Sequence, residues 1–198
     1  MNETSQKLLY TNQLLKLEEI IESTNKRIVS NSPDLLFYEN ANFFTKAFLV
    51  TMCAYLESYI KDALMVIVDE FNIRLNSVKL PYNIVKWSSN SNFKSEFKSD
   101  YKFNHFLIGI KKKELDDFIS GNPFRTSDLF KKFGIELEKY SEFESQKEII
   151  KLIVEKRNRI LHHNDEASDV SSQDLKMNIK SLIIYIELLD KIVCNQLK

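Results

Sequence analysis

Glycine and proline are almost missing from this chain, with three of each in 198 residues. The glycines, Gly109, Gly121 and Gly134, stand alone, which excludes the glycine-rich phosphate loops of P-loop and dinucleotide-binding proteins. So few turn residues, between long stretches of regular apolar periodicity, point to an all-helical fold with few connections. Cysteine is scarce too. Cys53 and Cys194 lie far apart without C-x-x-C spacing, which argues against a disulfide scaffold or a cysteine-ligated zinc site and fits a reducing cytosol. An excess of either charge is also lacking: 28 Lys and Arg balance 28 Asp and Glu. A globally basic nucleic-acid binder is not indicated, although a local patch stays open. No segment approaches the roughly 18 uninterrupted apolar residues of a membrane span. The opening "MNETSQKLLY" lacks the basic region and apolar run of a secretion signal. The expectation is a soluble, cytoplasmic protein without a membrane partner, folded as one domain over residues 1–198.

What the chain does have is helical periodicity. A first long helix is expected over about Ser5–Val29, with Leu8, Leu9, Leu14, Leu15, Leu17, Ile20 and Ile21 on its apolar face. "SNSPDL" closes it, because Pro33 disfavours helix at the residue before it. The second helix, about Glu39–Leu75, reads "FFTKAFLVTMCAYLESYIKDALMVIVDEF" and is apolar on most sides, which belongs in the centre of a bundle. Residues from about Trp87 to Phe143 are polar and aromatic and read as a helical insertion, with a short helix capped by Thr126 or Ser127. A third long helix runs from about Ser145 to His163. "NDEASDVSS" is a loop, and Ser171-x-x-Asp174 resembles a capping box opening a strongly amphipathic fourth helix. The predicted architecture is an all-α four-helix bundle with an insertion between the second and third long helices.

The third helix ends unusually. In "IIKLIVEKRNRILHHND" the apolar stripe of Ile149, Ile150, Ile153, Val154, Ile160 and Leu161 is centred near Arg157. A guanidinium in a core stripe is costly unless paired. Asn158 lies about 100° from Arg157 around the helix and His162 about 140° from it, so Asn158 and His162 share one side. A plain structural explanation stands beside a functional one, since Arg and His in a last turn complement the helix dipole. Glu57 on the second helix has Cys53, Ala54, Ile60 and Leu64 around it at helical spacing. It reads as a buried acid that pairs with Arg157, or else as a solvent-facing neighbour of Lys61.

Within the insertion, Phe93, Phe97 and Tyr101 recur every four residues, as do Lys94, Lys98 and Lys102 one position on. Lys111, Lys112 and Lys113 end the stretch. Such a basic stripe beside aromatics suits an RNA backbone and its bases. It equally suits an amphipathic helix docked by its aromatics with the lysines in water. His105 reads as a core or interface histidine. His162, His163 and Asp165 make a poor metal site, because adjacent histidines do not share a helical face.

Arg157-Asn158-Arg159-Ile160-Leu161-His162 resembles the Arg-polar-x-x-x-His motif of the HEPN superfamily, and it stands, as there, at the end of the third long helix. "LVTMCAYLESYIKDAL" is similar to the second helix of small bacterial HEPN proteins of defence and toxin loci, where an acidic residue is common. The resemblance covers roughly residues 40–75 and 145–197. It implies a metal-independent endoribonuclease without cofactor, working as a homodimer whose two motifs line one cleft. Its roles would be a toxin or phage-defence effector, with RNA as substrate and an antitoxin or defence-system protein as possible partner. His162 would transfer protons, Arg157 would hold the phosphate, Asn158 would orient His162 or the phosphate, and Glu57 would support Arg157. The resemblance also admits a non-catalytic module that binds a nucleotide or a protein. Two departures stand out. His163 takes the place of the glycine that follows the motif histidine in many relatives, so it is a secondary candidate; His162 is favoured because it leaves Ile160 and Leu161 in the core. Asn164 stands where toxins silenced by a nucleotidyltransferase antitoxin have tyrosine, which counts against that control.

Overall fold

The computed structural model describes residues 3–77, 108–163 and 166–198, with the side chains of Asn76 and His163 set aside. The fold is all-helical, and no strand occurs among the described residues. Four long helices form the bundle: α1 (Ser5–Ile28), α3 (Ala41–Ser77), α5 (Ser141–His163) and α6 (Ser172–Gln196). Two shorter ones are α2 (Leu35–Glu39) and α4 (Pro123–Lys132). Single 3-10 turns at Lys112–Leu115 and Leu137–Lys139 flank α4 in sequence.

The apolar character of α3 explains its place. Met52, Cys53, Leu56, Tyr59, Ile60, Ala63, Leu64 and Ile67 are all fully buried, because α1, α5 and α6 pack around it. The capping box expected at the start of α6 is present: Ser171 Oγ accepts from Asp174 N at 3.1 Å, and the Asp174 carboxylate accepts from Ser171 N at 2.9 Å. Thr4 caps α1 by accepting from Lys7 N at 3.1 Å. The same Thr4 donates its N–H and hydroxyl to buried Asp190 of α6, at 3.0 and 2.5 Å. Tyr59 of α3 donates to that carboxylate at 3.3 Å, so three helices meet on one acid.

Several expectations need correction. The apolar face of α1 is narrower than its sequence suggests. Tyr10, Leu14, Leu17 and Ile21 are buried, while Leu8, Leu9, Leu15 and Ile20 are exposed, since a helix packed on one side buries only a single stripe. The second long helix begins at Ala41, two residues after the expected Glu39, and a short helix that was not expected precedes it. Asp34 caps α2 through Leu36 N at 3.1 Å, and Asn40 turns back its side-chain amide to the Leu36 carbonyl at 2.9 Å, ending that helix before α3 starts. Neither Thr126 nor Ser127 caps α4. Asn122 does, accepting from Phe124 N at 3.0 Å with Pro123 in the first turn, where no N–H is needed; Thr126 and Ser127 are buried inside the helix. Helix α5 starts four residues before the expected Ser145. Its predicted stripe loses Ile149 and Leu161, which are 43% and 52% exposed. Leu161 is turned about 100° from buried Ile160, so only Ile160 supports the choice of His162. The part of the insertion that runs up to residue 107 lies outside the described residues.

Candidate functional site at the end of α5

Helix α5 points Val154 and Arg157 inward against α3 and the turn before α4. Arg157 Nη2 donates to Glu57 Oε1 in a direct ion pair. The pair expected from helical spacing is therefore formed, but it is not sealed: the side chains are 14% and 29% exposed. Glu57 is a half-buried acid at the edge of the core, because Ala54, one turn earlier on its side of α3, is exposed. Lys61 does not compete for it, being paired with Asp116 at 2.6 Å. The same Glu57 Oε1 accepts the backbone N–H of Gly121 at 3.1 Å.

The arginine keeps unused capacity. Its Nε is buried and has no acceptor among the described residues, and the guanidinium is anchored by one nitrogen. Buried Cys53 lies beside it; burial pushes the thiol up to about 11 against the pull of the Arg157 charge. Such a thiol stays protonated and acts as packing. Asn158 is half-buried and His162 is exposed. Neither side chain has a hydrogen-bond partner among the described residues, so no hydrogen bond joins Asn158 to His162. The side chain of His163 lies outside the described residues.

The described part of the following loop, from Glu166 on, is tied down. Lys156, 9% exposed, donates to the Glu166 carbonyl at 2.6 Å and to Asp169 Oδ1 at 2.7 Å. Asn42 at the start of α3 accepts from Ala167 N at 2.9 Å and donates to the Glu166 carboxylate. These contacts fix the loop from Glu166 to Asp169 against α3 and α5. Sequence reading missed Lys156 and Gly121. A lysine beside the buried stripe was a faint signal for the first; the second gave none, because its partner is 64 positions away.

Of the basic residues proposed to meet RNA, Lys94, Lys98 and Lys102 lie outside the described residues. Lys111, Lys112 and Lys113 are exposed at a 3-10 turn packed on α3. Lys112 is drawn to Asp62 of α3, whose carboxylate also accepts from Tyr10 at 2.7 Å, so that lysine has a structural partner. Among the described residues, no group of three His, Cys, Asp or Glu side chains gathers as metal ligands, and no helix is long and apolar enough to cross a membrane.

The all-helical bundle agrees with the expected HEPN-type architecture. The model of the RiboL-PSP-HEPN family matches residues 12–195, and the chain belongs to that family. No curated protein and no solved structure matches the chain.

Proposed function

We propose that the protein is a metal-independent endoribonuclease acting as a homodimer, with a defence or toxin role for its RNA cleavage. One observation carries this best: Arg157 is held by Glu57 with donors to spare, just over one helical turn from the exposed imidazole of His162. Cleavage of RNA without metal needs a base, an acid and a cation. An imidazole titrates near neutrality and serves as either base or acid. A guanidinium holds the phosphate and stabilises the charge that builds on it. In the proposed reaction His162 takes the proton of a ribose 2′-hydroxyl, and that oxygen attacks the adjacent phosphorus. The bond to the 5′-oxygen breaks, and the partner subunit's His162 returns a proton to the leaving oxygen. The products are a 2′,3′-cyclic phosphate and a 5′-hydroxyl. Since one motif histidine supplies one proton-transfer group, twofold pairing of chains completes the site.

A second possibility is a non-catalytic module for a nucleotide or a protein. Its support is that His162 stands exposed in the last turn of the helix, where a histidine complements the helix dipole without any chemistry.

Purified protein incubated with a panel of RNAs, with and without EDTA, separates the two. Cleavage is expected in both conditions, with cyclic-phosphate ends and with DNA untouched. His162→Ala is expected to lose about 10²- to 10⁴-fold in rate, the range for a removed acid or base, with stability changed by no more than about 0.5 kcal/mol, since the residue is exposed. His163→Ala is expected to retain most activity. A wild-type protein that leaves every RNA intact refutes the proposal in favour of the binding module. Activity that survives His162→Ala but not His163→Ala assigns the chemistry to the other histidine.

A further inference from the structure

We propose that Gly121, in the turn that leads into α4, is a positioning residue for the motif arginine: its backbone N–H fixes Glu57, and Glu57 fixes Arg157. This builds on the ribonuclease proposal and makes the described end of the insertion a working part of the site. Gly121 is buried, so its N–H requires an acceptor, and that acceptor is Glu57 Oε1 at 3.1 Å, the oxygen that also receives Arg157 Nη2. A carboxylate held by a backbone donor cannot follow a flexible side chain away, provided the donor itself is fixed. The turn supplies that rigidity. Thr126 Oγ1, fully buried, donates to the carbonyls of Ser120 at 2.9 Å and Asn122 at 3.0 Å. Asn122 N donates to Ser120 Oγ at 3.2 Å, and Asn122 caps α4. The N–H of Gly121 is thus aimed by a closed set of bonds on either side of it.

Glycine is required there by proximity. A Cβ at position 121 would stand 3.0 Å from Val154 Cγ2, 3.5 Å from Leu56 Cδ2 and 3.7 Å from Glu57 Oε1. Val154 lies three residues before Arg157, on the same inward side of α5, and is fully buried. An added methyl group must therefore push Val154 with α5, or the turn itself, by a few tenths of an ångström. Either movement loosens the Glu57–Arg157 pair while the bundle remains.

The test is a pair of substitutions and their combination. Gly121→Ala is expected to lower kcat on RNA by about threefold to tenfold, less than the roughly 10²-fold of a full ångström's misplacement, with KM and helix content nearly unchanged. Val154→Ala removes the methyl group that the new Cβ meets; alone, it is expected to lower the melting temperature and to spare most of kcat. In Gly121→Ala/Val154→Ala the turn can reseat, and kcat is expected to return to that of Val154→Ala. If Gly121 were only a packing residue, activity would follow the melting temperature in all three variants. That result, or wild-type kcat in Gly121→Ala, overturns the proposal. Side-chain NMR of ¹⁵N-arginine-labelled protein gives a reading independent of cleavage. The Arg157 Nη signals are expected to be separate in the wild type, averaged by free rotation in Gly121→Ala, and separate again in the double variant. If wild-type protein cleaves no RNA, the ribonuclease proposal fails, and the NMR result alone decides the brace: unchanged Arg157 signals in Gly121→Ala sink it.

Discussion

Asp190→Ala is expected to be the most damaging single exchange away from the candidate site. Asp190 is 1% exposed, and its carboxylate accepts from Thr4 N at 3.0 Å, Thr4 Oγ1 at 2.5 Å and Tyr59 Oη at 3.3 Å. Cys194 Sγ lies 3.8 Å away as a weak fourth donor. Thr4 is 1% exposed and Tyr59 is fully buried, so the donors left behind find little water. A hydrogen bond to a charged group contributes about 1.5–3 kcal/mol, and a stranded buried donor costs about 1–3 kcal/mol. Two short bonds and one long one give a gross loss near 6 kcal/mol on those values, and relief of the buried charge returns part of it. A net loss of about 3–5 kcal/mol is expected, the range for removing one partner from a buried charged cluster. At about 2–4 °C per kcal/mol for a chain of this size, the melting temperature should fall by roughly 6–20 °C. Thermal and urea unfolding followed by circular dichroism measure this. Tyr59→Phe, which removes only the longest of the three bonds from nitrogen and oxygen donors, should lose about 1 kcal/mol. A loss below about 1 kcal/mol for Asp190→Ala, on the scale of an ordinary exposed exchange, would show that desolvating the carboxylate cancels what its bonds contribute.

Two further predictions concern the insertion. The Lys131 ammonium, followed by the Ser127 hydroxyl, holds the Glu138 carboxyl down at about 2, from an ordinary 4.5. A depressed folded value means that its stabilising contribution is complete above pH 4.5 and is lost as pH falls through about 2. Because Glu138 is at the surface, the contribution should be below about 1 kcal/mol. Glu138→Gln should accordingly lose less stability than the wild type over that acid interval, and equal losses in both would contradict the assignment. Gly134 ends α4 at φ 75°, with Ile135 N donating to Phe130 O at 3.1 Å and Gly134 N to Lys131 O at 3.0 Å, the paired bonds of a Schellman ending. Nothing crowds a Cβ there, so Gly134→Ala should cost only the left-handed backbone penalty, about 1–2 kcal/mol. A neutral exchange in urea unfolding would refute that.

The long helices were legible because their apolar spacing is strict, and the Ser171–Asp174 box because a cap is local. The Glu57–Arg157 contact was legible because two unlike charges on apolar stripes had few other ways to be satisfied. What escaped depends on residues distant in sequence. Asp190 reads as an ordinary polar position in "YIELLDKIVCN" until Thr4, 186 positions earlier, arrives as its partner. The short helix α2 was missed because five residues show no periodicity, and its end is marked by a side-chain bond from Asn40 back to Leu36. In α1, "KLLYTNQLLKLEEII" offers more leucine and isoleucine than one packed stripe can take, and periodicity alone does not say which members are left outside.

Glu57 and Tyr59 are two residues apart on α3, separated by about 3 Å along the axis and about 200° around it. Each is gripped by a group on a different neighbour, Arg157 of α5 on one side and Asp190 of α6 on the other. In mechanical terms α3 is a shaft keyed from nearly opposite sides at almost one height. A turn of the shaft or a slide along its axis strains both grips. Thr4, the N-terminal cap residue, shares the carboxylate on the far side, so the hold on Arg157 is coupled through α3 to the start of α1.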